Sequence, residues 1–209
     1  MRGRYFHNFQ SFAKLQVEKK RLVYMTDEEL MLQFAAGKVE AFDELFRRYG
    51  QKIYNLFLRS LGNTEISQDL LQECFIRMTE ARHRYQPRKA FSSWLITIAM
   101  NLLRDKYREK RRREAHLRFD NLSDESDQPA DSDIDPQKTL EHSEMKEAVE
   151  NALQDLPEEQ REIIILRKYK GLSFSEIGEI LKTSPAAAKQ KAYRGMQTLR
   201  KKLSYLKEG

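Results

Sequence analysis

Between Gly171 and Leu203 the chain reads GLSFSEIGEILKTSPAAAKQKAYRGMQTLRKKL, and two helix starts are written into it. Ser173 and Glu176 have the capping-box spacing, in which each side chain satisfies the other residue's backbone N–H. Ser184 followed by Pro185 joins an N-cap hydroxyl to a residue whose missing N–H would be unpaired there anyway. The first helix must end by the polar break at Lys182-Thr183, so a short helix, a tight turn and a longer helix follow in order. That order constrains the fold to a helix-turn-helix or an ordinary antiparallel helix pair.

Composition favours the first. Residues 186–207 carry seven Lys or Arg and no acid. The second helix of a helix-turn-helix enters the DNA major groove, and here its predicted outer face holds Ala186, Lys189, Gln190, Tyr193 and Arg194. Lys and Arg bond guanine edges or phosphates, and Gln pairs with adenine.

The rest of the chain has helical periodicity and almost no strand signal. Leu30, Phe34, Phe42, Leu45, Phe46, Tyr49, Ile53, Leu56 and Phe57 recur at helical spacing, with Gly37 and Gly50 marking breaks or tight packing. A break at LGNTEIS precedes a stripe of Leu70, Leu71, Cys74, Phe75 and Met78 that runs to about Tyr85. Pro87 makes RYQPRKAF a loop, and a further helix starts at Ser92 or Ser93. Residues 120–137 hold seven carboxylates, two prolines and no Lys or Arg, which is the chemistry of an extended, self-repelling linker. The expected fold is therefore all-α: two small helical domains joined by an acidic flexible linker, the second containing the helix-turn-helix. The expected boundaries are a basic tail at 1–25, a first domain at 26–113, the linker at 114–136 and a second domain at 137–207.

The formal charge of +6 is unevenly spread, with basic blocks at residues 2–21, 104–113 and 189–207. Such clusters attract phosphate, anionic lipid or acidic protein. No apolar run reaches the length of a membrane span or of a signal-peptide core, so no membrane insertion and a cytoplasmic location are expected. No metal-binding or phosphate-loop spacing occurs, the four histidines are scattered, and no cofactor is expected. The lone Cys74 sits on an apolar helix face and reads as packing rather than redox sensing. Thr26-Asp27-Glu28-Glu29 after Met25 is a capping box, which suggests that translation starts at Met25 and that residues 1–24 are not part of the native protein.

FSSWLITIAMNLLRDKYREKRRR begins as apolar as a core helix and ends strongly basic. Leu95, Ile98, Ala99 and Leu102 form one stripe, and Trp94, Asn101, Asp105 and Arg108 fall on another face. Together with DLLQECFIRM, this segment resembles the −10-binding domain of bacterial RNA polymerase sigma factors of the extracytoplasmic-function (ECF) group. LPEEQREIIILRKYKGLSFSEIGEILKTSPAAAKQKAYRGMQTLRKKL resembles the −35-binding domain of the same group. The two halves stand in the family's order with a linker between them.

The resemblance implies a transcription initiation factor that binds core RNA polymerase and directs it to promoters, under restraint by an anti-sigma factor. It places Asp69, Gln72 and Glu73 on the polymerase. It places Arg88, Lys89, Ser93, Trp94, Asn101, Arg104 and Arg108 at the −10 element, with the loop from Tyr85 to Ala90 as the specificity loop. Ala186, Lys189, Gln190, Tyr193 and Arg194 would meet the −35 element. Single-stranded bases are held by stacking and cationic contacts, which suits a helix that is apolar at its start and basic at its end. The 23 residues of the linker would span about 75–83 Å, against roughly 70 Å for two turns of DNA. Ala187, Ala188 and Ala192 depart from the larger residues common in the family, which bears on how the recognition helix packs. Two other readings compete: a stand-alone helix-turn-helix regulator, and a nucleic-acid-processing enzyme with a helical targeting tail. The sequence offers no catalytic motif for the latter.

Overall fold

The computed structural model describes residues 21–120 and 140–204, and these are helical with no strand among them. The basic tail before residue 21 and most of the acidic linker lie outside the described residues. Helix α1 (Asp27–Ala35) starts at Thr26, whose hydroxyl accepts from the Glu29 N–H while the Glu29 carboxylate accepts from the Thr26 N–H at 2.8 Å. After a turn at Gly37, α2 (Val39–Leu61) runs unbroken through Gly50. Gly50 is thus a packing position, lying against the Phe46 ring, and only Gly37 is a break. Gly62, in the left-handed region, ends α2, and Asn63 caps α3 (Thr64–Glu80).

A short turn at Arg82–Arg84 and the loop through Pro87 lead to α4 (Phe91–Asp120). This helix continues past residue 113, where the linker was expected to begin. Arg, Lys, Glu, Ala and Leu at 109–118 are strong helix formers, and Glu109 pairs with Arg113 one turn on.

The second half comprises α5 (Leu140–Gln154), α6 (Glu158–Ile164) continuing as one wide turn at Ile165–Tyr169, α7 (Phe174–Leu181) and α8 (Pro185–Lys202). Both expected caps form: Ser173 with Glu176, and the Ser184 hydroxyl accepting from the Ala187 N–H. Lys182 ends α7 at φ 54°, a conformation costly to a residue with a Cβ. Lys182→Gly should therefore stabilise the protein by about 1 kcal/mol. Urea unfolding measures this, and an unchanged or lower midpoint would contradict it.

The two halves share one continuous apolar cluster, in which Leu45, Ile53, Phe57, Phe91, Leu95 and Leu103 are joined by Ile163, Leu166, Ile177 and Ile180. Ala152, Leu153, Leu156, Ile164 and Leu199 form a smaller second cluster. Ala188 and Ala192 are buried and Ala187 is half-buried, so two of the three small side chains that depart from the family pattern lie at the packing face of α8.

Three polar arrangements support this core. Glu44 is buried between Arg47 and Arg48, and those guanidiniums, Arg47 foremost, hold its carboxyl down at about 2 against the opposing cost of burial. Arg48 also donates to the carbonyls of Leu22, Val23 and Met25 and to Asp27. Leu22 is in the core and its carbonyl is bonded, so residues 21–24, which the expected boundaries placed in the 1–25 tail, belong to the folded unit.

Arg161, buried at 9% exposure, donates from one terminal nitrogen to the Ser60 carbonyl and, at 2.8 Å, to Gln154 Oε1. Its other terminal nitrogen donates to the carbonyls of Gln154 and Leu156 at 2.6 and 2.9 Å. The next residue, Glu162, is buried near Arg104 and Tyr107, and burial pushes its carboxyl up to about 7. Cys74 is fully buried with its thiol pushed up to about 12 by burial, which fits packing and not redox chemistry.

Candidate nucleic-acid interface

The inner face of α8 is set by Ala188, Ala192, Gly195 and Leu199, all buried. Its outer face presents Ala186, Lys189, Gln190, Tyr193 and Arg194, each exposed, with Tyr193 at 64%. Gln197, Arg200 and Lys201 are exposed further along the helix, and the sequence reading had not singled them out. Two basic residues of this helix have structural work instead. Lys191 pairs with Glu159 and Lys202 with Asp155, each at 2.5 Å, partners that lie far away in sequence.

The loop before α4 is anchored from beneath. Tyr85 is buried and donates from its hydroxyl to the Lys89 carbonyl at 3.1 Å. At the loop's far end the Phe91 N–H donates to Glu28 Oε1 at 2.8 Å, a contribution from α1 with no local signal in the sequence. Trp94 packs edge-on against Tyr85, ring centres 5.1 Å apart, and lies tilted 6.1 Å from Phe91. It is half-buried, so part of the indole belongs to the core and part faces outward.

Arg88, Lys89, Asn101 and Arg108 are exposed, and Ser93 and Arg104 are half-buried. Arg88, Lys89, Ser93 and Trp94 are thus gathered around the loop and the start of α4, while Asn101, Arg104 and Arg108 follow two to four turns along it. Arg104 is turned toward the second half: it donates to Asn101 Oδ1 and to the Ile180 carbonyl, both at 3.2 Å. The helix is buried on more than the predicted stripe, with Ile96, Met100, Leu103 and Tyr107 buried as well, because a second layer packs on it.

On α3, Asp69 and Gln72 are exposed, while Glu73 pairs with Arg77 at 2.8 Å. Arg77 also lies 3.7 Å from Asp105 of α4, which ties this acidic edge to the helix bearing Asn101. Beside the edge, Phe46 at 44% and Ile76 at 53% are exposed, and Phe46, Gly50, Tyr54, Gln68 and Leu71 line a shallow groove between α2 and α3. Sequence periodicity assigned Phe46 to the core stripe, and the apolar character of this surface was missed.

Comparison with known proteins follows the same division of the chain. The family Sigma-70 region 2 matches residues 45–113, and Sigma-70, region 4 matches residues 146–199. The RNA polymerase sigma factor CarQ of Myxococcus xanthus is 36% identical over 84% of this chain and 97% of its own length. The ECF RNA polymerase sigma factor SigW of Bacillus subtilis is 31% identical, covering 82% of this chain and 93% of its own. Among solved structures, CnrH in complex with the cytosolic domain of CnrY superposes with a TM-score of 0.62 at 25% identity, covering 86% of this chain and 97% of that one. The sigma factor RpoE of Bartonella quintana, in complex with the anti-sigma factor NepR, gives 0.64 at 20% identity over 78% of this chain and 96% of that one. No described helix is long and apolar enough to cross a membrane. With both sigma regions present in order, and with relatives matched along nearly their whole length, this chain belongs to the ECF group of RNA polymerase sigma factors.

Proposed function

We propose that this sigma factor divides its work between the two faces described. The first half docks core RNA polymerase through Asp69, Gln72 and Glu73 and meets the −10 element through Arg88, Lys89, Ser93, Trp94, Asn101, Arg104 and Arg108. The second half reads the −35 element through Ala186, Lys189, Gln190, Tyr193 and Arg194. The carrying observation is the outer face of α8, where these five residues are exposed on one side of a helix whose other side is buried. A capped helix with a basic, acid-free outer face fits a major groove.

The phosphodiester chemistry belongs to the polymerase, so the protein acts as an initiation factor with no catalytic centre of its own. Its place of work is the cytoplasm, where the polymerase and promoters are. Because CnrH and RpoE were solved bound to CnrY and NepR, an anti-sigma protein as regulator is part of this proposal.

Co-elution with core polymerase, followed by transcription from a genomic fragment library, tests the reading: a stable complex starting RNA at a shared pair of elements is expected. No complex, together with tight duplex binding by the protein alone, would favour a stand-alone regulator. Asp69→Ala with Glu73→Ala should weaken polymerase association about tenfold, since each removes a charge from a docking edge. Unchanged affinity would remove these residues from the interface. Melting of the variant checks that losing the Glu73–Arg77 pair is tolerated, as expected of an exposed pair.

A further inference from the structure

Helix α4 has no cap of its own. Ala90 precedes its first residue, with a carbonyl that accepts from the Trp94 N–H at 3.2 Å, and alanine has no side-chain acceptor to offer the first N–H groups of a helix. The acceptor comes from α1 instead. Three consecutive acids there, Asp27, Glu28 and Glu29, have three different partners. Glu29 closes the capping box with Thr26, and Asp27 accepts from the Tyr49 hydroxyl and from Arg48. Glu28 reaches α4, where its Oε1 accepts from the Phe91 N–H at 2.8 Å. A carboxylate in that place also faces the positive end of the helix dipole. The bond holds the centre of an aromatic group beneath the −10 loop. Phe91 is fully buried, with Tyr49 and Tyr85 edge-on to it at 5.1 and 6.1 Å between ring centres. Trp94, one turn on, rests against Tyr85 and Phe91. Burial, and after it the nearby Glu28 charge, push the Tyr85 hydroxyl up to about 12, so it keeps its proton for the Lys89 carbonyl at neutral pH.

We propose that Glu28 is a positioning residue for −10 recognition: by holding the Phe91 N–H it fixes the loop from Tyr85 to Ala90 and the pose of Trp94, and with them the choice of −10 bases. The proposal rests on the −10 assignments above. Single-stranded bases are held by stacking, and a recognition surface discriminates only as well as its supporting contacts hold it in place. The loop is tied at one end by the Tyr85 hydroxyl and at the other by Glu28. Released at the Glu28 end, it would still carry Arg88 and Lys89 and still attract the phosphate backbone. It would have to be ordered on binding, and that cost falls on the contacts that tell one base from another.

Trp94 is the one tryptophan of the chain, so its emission reports the loop directly. In the free full-length protein, Glu28→Ala should shift that emission to longer wavelength as the half-buried indole loosens toward water. Transcription is then read on promoters recovered from the genomic fragment library, each intact or with one −10 base substituted. Polymerase carrying Glu28→Ala should tell the two apart about tenfold less well, the equivalent of one hydrogen bond to a charged acceptor. The ratio between intact and scrambled −35 templates should not change. Glu28→Gln keeps an amide oxygen in the same place and should restore most of the −10 discrimination. Tyr85→Phe keeps the ring but loses the bond to the Lys89 carbonyl, so it should also lower discrimination, a second test if Glu28→Ala folds poorly. Unchanged discrimination in folded Glu28→Ala, or an equal fall on every template, would overturn the proposal, and so would an unchanged Trp94 emission. If polymerase with the wild-type factor uses no promoter, the −10 assignments fail instead, while the Trp94 emission still decides whether Glu28 holds the loop.

Discussion

Promoter-dependent transcription should fall about a hundredfold when Lys189 and Arg194 are both replaced by alanine. Each side chain is exposed on the outer face of α8, and a base-edge or phosphate contact is worth about 1–3 kcal/mol. The loss should depend on the −35 element, so that a template in which that element is already scrambled shows little further drop. Neither residue packs in the core, and the folded stability should change by no more than about 0.5 kcal/mol. Association with core polymerase should be unaffected, because the proposed polymerase face lies on α3. In vitro transcription on intact and scrambled templates reads the first effect, and gel filtration with core polymerase reads the second. An equal loss on both templates would refute −35 recognition by this face.

Arg161→Ala should destabilise the protein by about 3 kcal/mol and lower its melting temperature by about 6–12 °C. The guanidinium is buried and serves the carbonyls of Ser60, Gln154 and Leu156 together with the Gln154 side chain. Of these, among the described residues, only the Ser60 carbonyl has another donor, the Tyr107 hydroxyl at 3.2 Å. Removing Arg161 therefore leaves buried acceptors without partners, which costs more than a bond at the surface. Arg161→Lys should recover little, since an ammonium cannot reproduce a planar fork of donors reaching carbonyls in different directions. A melting temperature within about 2 °C of wild type for Arg161→Ala would show that water replaces the guanidinium and that the carbonyls were never isolated. Among the described residues the buried Arg161 Nε has no partner, so this site is held together by its terminal nitrogens.

What could be read from the sequence was local. The Thr26, Ser173 and Ser184 caps each rest on residues within one turn of one another, and all three form as expected. The outer face of α8 was legible for the same reason, since helix periodicity places Lys189, Gln190, Tyr193 and Arg194 on one side once the start at Pro185 is known. Lys182 shows the limit of local reading: its polar break was visible, but its left-handed conformation arises from the way α7 must end against α8.

Elsewhere the deciding partner is distant in the chain. Glu28 holds the start of α4, Asp155 and Glu159 take up two of the basic residues of α8, and Arg161 reaches the end of α2. Periodicity assigns a side chain to a helix face, but which faces meet depends on how apolar surfaces are shared once the helices pack. The sequence by itself determined the helices, their caps, the helix-turn-helix and the family. Only the tertiary structure decided that α4 is buried on further faces, that residues 21–24 belong to the folded unit, and that the halves share one core. Helix formation and capping are governed by bonds between near neighbours, whereas burial and docking depend on contacts between residues that only packing brings together.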